Sequence, residues 1–129
     1  MTPKPLRIRT IVWVGCFTAA FIATHLPPSN LPSAPWISDK VEHFLGYLGL
    51  YFVTVWRFRR YTDSPTRSVR PIAIFVGLAA YAAMDELTQP FVGRTAEWGD
   101  WFADLAGVMV GIVLGIVYDR RRPGGGGRR

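Results

Sequence analysis

The chain has 129 residues, half of them hydrophobic, with a formal net charge of +6. One domain is expected at that length, and four apolar stretches occupy so much of it that no soluble domain fits beside them. The single cysteine, Cys16, excludes an intrachain disulfide.

Residues 1–9 carry Lys4, Arg7 and Arg9 and read as a cytoplasmic N-terminal segment. The first apolar stretch, residues 10–26, could follow such charges as a signal peptide. It instead continues to Leu26 and meets Pro27 and Pro28 rather than a small-residue cleavage site, so a retained span is expected. The second span, residues 40–57, opens with "DKVEHFLGY" and ends at Arg57; the third covers 71–91 and the fourth 100–118. A bilayer-spanning helix takes about 20 largely apolar residues, with a range of about 17–25, and each stretch meets that once its polar end enters the interface. The expected fold is therefore all-α: an integral membrane bundle of four transmembrane helices over residues 10–119. Residues 120–129, "RRRPGGGGRR" from Arg120, form a basic, glycine-rich tail that suits anionic lipid headgroups.

The positive charge is unevenly placed. Thirteen of the fifteen basic residues precede span one, lie between spans two and three, or follow span four; Lys40 and Arg94 are the exceptions. Short loops rich in Lys and Arg stay cytoplasmic, so both termini are expected in the cytoplasm. This distribution points to membrane lipids and away from nucleic acid. Seven of the nine acids fall on the other side: Asp39, Glu42, Asp85, Glu86, Glu97, Asp100 and Asp104.

Those acids share helical faces with other polar residues. Lys40, His43 and Tyr47 follow i, i+3, i+7 spacing on span two. Gly77, Tyr81, Asp85 and Gln89 recur every four residues along span three, with Glu86 beside the line. Pro90 ends that helix, and "FVGR" forms an exit turn carrying Arg94 back over the bundle. Asp100 and Asp104 open span four, followed by Gly107, Gly111 and Gly115 in the small-xxx-small pattern of close helix approach. The glycines read as packing residues, and that last face could join helices within one chain or between two, as a homo-oligomer. Span one adds at most His25.

The polar ends thus converge on one extracytoplasmic pocket, where Asp85, Glu86 and Asp104 can pair with Lys40, Arg94 and His43. A carboxylate at the bilayer centre costs about 2.5–3.5 kcal/mol, less near the interface, which disfavours lipid exposure of all three. The plain alternative is an ion-pair network tying helices together, although buried ion pairs are weak evidence for stability. Tyr47, Tyr81 and Trp101 suit packing or the interface. Asp39, Glu42, Glu97 and Asp100 could also be solvated surface acids.

"DKVEHFLGYLGL", "DELTQPFVGR" and "DWFADLAGVMVG" resemble, in order and spacing, the successive motifs of the VanZ-like membrane proteins. The matching positions are Lys40, His43, Phe44, Tyr47, Asp85, Glu86, Gln89, Gly93, Arg94 and Asp100; Asp104 stands where the family pattern usually has Asn. The resemblance implies a bacterial inner-membrane protein of the cell envelope, linked by the family's name to resistance to the glycopeptide teicoplanin. It implies no agreed reaction.

Two uses of the pocket follow from its residue types. As an enzyme site acting on a lipid-linked or phosphate-bearing envelope intermediate, His43, Asp85, Glu86 and Asp104 would carry acid–base work. Lys40, Tyr47, Gln89, Arg94 and Asp100 would bind the substrate, with Arg94 suited to bidentate anion recognition. No serine or cysteine lies in the motifs, so a carboxylate or water would attack. As a binding or accessory protein, the same pocket would hold a lipid headgroup or glycopeptide without chemistry. No cofactor or metal is assigned; the open alternative is Mg²⁺, Mn²⁺ or Ca²⁺ on Asp85, Glu86 and Asp104, since the histidine spacing of zinc is missing. A carrier fits less well, because the charges sit near one face rather than at the midplane.

Overall fold

The computed structural model describes residues 4–26, 38–58 and 71–121. They form four α-helices: α1 (Lys4–His25), α2 (Asp39–Phe58), α3 (Pro71–Thr88) and α4 (Trp98–Arg121). No strand occurs among the described residues. The prolines after span one, the basic loop after α2 and the tail beyond Arg121 lie outside them.

Among the described residues, three helical segments are long and apolar enough to cross a bilayer: Leu6–His25, Pro71–Val92 and Trp98–Arg121. Helix α2 has the length, 20 residues, but Asp39, Lys40, Glu42, His43 and Arg57 lower its mean hydropathy. Asp39, Lys40 and Glu42 on its first turn are exposed, while His43 is turned into the bundle. His43, Tyr47, Leu50, Tyr51 and Thr54 are buried and follow helical spacing along one face.

Helix α2 packs most extensively on α4, and the reason is the glycine row. A Cβ at Gly107 would run into the backbone carbonyl of Phe44; at Gly111 it would meet the Tyr51 ring, and at Gly115 the Tyr51 hydroxyl. Lacking Cβ atoms, the two backbones approach closely, the main source of helix association in lipid. The Gly107/Gly111/Gly115 face is therefore occupied by α2 of the same chain. The packing reading does not extend to Gly77, which is exposed with open space around it. Val108, Tyr47, Leu50, Tyr51, Ile74, Leu78 and Ala82 form the buried apolar core beside the seam.

The exit turn at "FVGR" is a 3-10 turn, Gln89–Val92, closed by Gly93 at φ 78°. The Arg94 amide donates back to the Gln89 carbonyl at 3.2 Å. This turn carries the chain across the polar end of the bundle. At the opposite end, Arg9 on α1 donates to the Trp56 carbonyl of α2, so α1 and α2 run antiparallel.

Candidate functional site

The close approach at Gly107 and Phe44 sets the register one turn above it. His43, next to Phe44, is thereby brought to Asp104, three residues before Gly107. Its Nδ1 stands 3.0 Å from Asp104 Oδ1 and 4.0 Å from Glu86 Oε1, so the imidazole bridges α4 and α3. Glu86 is held on both oxygens: the Gln89 side chain donates to Oε1 at 3.3 Å and the Glu97 backbone amide to Oε2 at 3.1 Å. The i, i+3 spacing of Glu86 and Gln89 makes the first bond and the exit turn makes the second.

Asp85 is separate from this trio. Its Oδ1 accepts from the Thr24 hydroxyl of α1 at 2.8 Å and lies 3.6 Å from His25 Nδ1. His25 Nε2 is 2.9 Å from the Thr88 hydroxyl. Helix α1 thus joins the polar end through Thr24 and His25 of its last turn, which meet Asp85 and Thr88 of α3.

The two bases of the polar end face other acids. Lys40 donates to Glu97 at 3.1 Å and to Asp100 at 3.2 Å, and Arg94 lies 3.6 Å from Asp39 and reaches the Leu26 carbonyl at 3.5 Å. Of the three partners expected for Asp85, Glu86 and Asp104, only His43 takes up the pairing among the described residues. Asp100, one of the acids with a solvated reading, is 2% exposed. Glu97 is exposed but bonded to Lys40. Tyr81 gives its hydroxyl to the Phe17 carbonyl at 2.9 Å, a packing role.

Among the described residues, the buried polar atoms without a hydrogen-bond partner include Oδ2 of Asp104, Oδ2 of Asp85 and the Tyr47 hydroxyl at this end of the bundle. Such atoms are costly in a low-dielectric interior and call for an explanation. A cavity of about 150 Å³ lies between α1 and α2, lined by Thr24, Asp39, His43 and Tyr47 with Arg94 at its edge. A second hollow of about 240 Å³, mostly apolar, lies on the other side of Glu86 against Trp98 and Trp101. Among the described residues, two sets of side chains could hold a metal ion, His43 with Glu86 and Asp104, and His43 with Asp39 and Asp100; within each set the candidate ligand atoms lie within 4.8 Å of one another.

Sequence reasoning missed Thr24, Thr88 and Glu97. A hydroxyl directly before His25 at the end of an apolar run was the available signal for Thr24. Glu97 acts through its backbone amide as well as its side chain, and nothing in its residue type announces an amide donor.

Fold and site together define a small all-helical membrane protein with a buried carboxylate–imidazole cluster at one end of the bundle. The chain belongs to the VanZ/LLP1 family, whose sequence model matches residues 16–119. That range takes in every polar residue of the cluster. No curated protein and no solved structure matches the chain.

Proposed function

We propose that this VanZ-like protein binds, and acts on, the anionic headgroup of a lipid-linked envelope intermediate at the outer face of the bacterial inner membrane. In this reading α2 is the fourth span, its polar first turn standing at the outer interface and its buried face turned to α4. The basic residues of both termini and of the loop after α2 keep those segments cytoplasmic. The acid-rich end then faces outward.

The observation that carries the proposal is the cavity between α1 and α2, where Arg94 and His43 line the same space. Arg94 is only loosely engaged by Asp39, at 3.6 Å, so an incoming phosphate or carboxylate can take its planar guanidinium in a bidentate pair. His43 is oriented through Nδ1 by Asp104, which leaves Nε2 as the ring nitrogen for proton transfer to or from bound substrate or water. Glu86, steadied by Gln89 and the Glu97 amide, stands behind the imidazole. Tyr47, Thr24, Asp39 and Glu42 add polar groups to the cavity lining, while Lys40, Asp85 and Asp100 stand outside it. Teicoplanin resistance, where it occurs, would follow from engagement of that intermediate or of the glycopeptide itself.

The test uses the full chain in nanodiscs with a polyprenyl diphosphate, measuring binding and phosphate release separately. Arg94→Gln should weaken binding about tenfold or more, the loss expected of one charge-assisted bidentate pair. His43→Gln should keep binding and lose release. Binding by wild type without release would make the protein a headgroup-binding module instead. Equal binding by wild type and Arg94→Gln would end the reading.

A further inference from the structure

The charges of the polar end do not balance where they are buried. Asp85, Glu86 and Asp104 are 1%, 7% and 0% exposed, and the ion-pair partners they have among the described residues are imidazoles, His25 and His43. Lys40 and Arg94, the nearest permanent cations, are turned to Glu97, Asp100 and Asp39. Buried carboxylates in such surroundings are paired, protonated or bound to a metal. Asp104 adds a second sign: its Oδ2 is fully buried and takes no hydrogen bond.

We infer that His43, Glu86 and Asp104 form a binding site for one divalent transition-metal ion. Each ligand comes from a different helix, α2, α3 and α4. The three ligand atoms lie within 4.8 Å of one another, with His43 Nδ1 at 3.0 Å from Asp104 and 4.0 Å from Glu86. Ligands bound at about 2.0–2.2 Å to one ion stand roughly 3–3.5 Å apart, so His43 and Asp104 already stand at ligand spacing, and Glu86 closes the set by moving toward them from within 4.8 Å. One imidazole with two carboxylates suits Zn²⁺, Mn²⁺ or Fe²⁺ rather than Ca²⁺ or Mg²⁺, which prefer oxygen alone. Gln89 and the Glu97 amide hold Glu86 from behind, the outer support that metal-ligating carboxylates usually have.

This donor set differs from the oxygen-only trio that residue types alone suggest: Asp85 Oδ1 is held by Thr24 and His25 of α1, and Asp85 belongs to neither metal-ligand grouping of the described residues. It does not rest on the lipid-headgroup reading, since the ion is the ligand tested. With an ion on Nδ1, the Nε2 nitrogen of His43 stays off the metal, and the ion adds positive charge beside the cavity that His43 lines.

The experiment is titration of chelator-treated full-length protein in detergent with Zn²⁺, Mn²⁺ and Co²⁺ alone. One ion per chain is expected, with Co²⁺ absorption bands showing nitrogen coordination. Asp104→Asn and His43→Gln should abolish binding, and Gln89→Ala should weaken it about tenfold, as loss of outer support does. Asp85→Asn separates the two donor sets. If that variant loses the ion while His43→Gln retains it, the site is the oxygen-only one and the inference fails. Should wild type bind no ion stoichiometrically, or show a cobalt spectrum without nitrogen coordination, the inference also fails, whether or not the variants fold. Phosphate release plays no part in these readouts, so failure here leaves the headgroup proposal to its own test.

Discussion

Helices α4 and α1 both lie against α2, and they are attached in different ways. Helix α4 is seated by shape, with Gly107 under the Phe44 carbonyl and Gly111 and Gly115 along Tyr51. Helix α1 has no fully buried described side chain; Phe17 and Ala20 rest half-buried against the core, and polar pins to α2 and α3 fasten it. Trp13 donates to Thr54 at 3.0 Å, Thr24 to Asp85 at 2.8 Å, and the Phe17 carbonyl accepts from Tyr81 at 2.9 Å. In lipid the hydrophobic effect does not join helices; dispersion contacts and interhelical hydrogen bonds do. The first attachment fixes a rigid α2–α4 unit that carries His43 and Asp104. The second lets α1 form one wall of a cavity without closing it.

This contrast can be broken most directly at the glycine seam. Gly107→Leu should lower stability by about 3 kcal/mol or more, as overpacking against backbone that cannot yield does. It shows as a collapsed apparent thermal midpoint in detergent, compared at a fixed scan rate because membrane unfolding is often irreversible. A midpoint within a few degrees of wild type would mean that α2 and α4 are not in close contact.

Thr24→Val comes next. It removes a hydrogen bond to a buried carboxylate and should cost about 1.5–3 kcal/mol. The loss should be local, read as faster amide exchange in α1 with α2 and α4 still protected. Uniform deprotection of all helices would erase the distinction between the two attachments. Trp13→Phe keeps the ring and deletes one interhelical bond, so about 0.6 kcal/mol is expected, measured as a midpoint change of a degree or two.

The smallest effect sharpens the glycine argument. Gly77→Ala meets open space, and alanine exceeds glycine in helix propensity by about 0.8–1 kcal/mol. Its midpoint should be unchanged or slightly raised, where Gly107→Ala lowers it.

Helix periodicity in the sequence already placed His43 with Tyr47, Asp85 with Gln89, and Asp104 with the glycine row, and it anticipated the turn after Pro90. The same four-residue spacing marked Gly77 as a packing residue, which it is not. Spacing states which residues share a face; it does not say whether another helix lies against that face at that depth. Gly107 has Phe44 above it, and Gly77 has nothing within 4 Å.

Pairing was beyond the sequence for the same reason. Opposite charges near one end of a bundle suggest Lys40 and Arg94 as partners for Asp85, Glu86 and Asp104, and charge count alone cannot choose otherwise. The azimuth of each helix chooses: α4 turns Asp100 to Lys40 and Asp104 to His43, while α3 turns Asp85 toward Thr24 of α1 and Glu86 toward the imidazole. What the chain determined by itself was four helices, a polar end and a glycine face, because each depends on residues a turn or two apart. Which carboxylate meets which base, and where a cavity remains beside α1, depends on how separate helices are rotated and spaced, and only the tertiary structure decided that.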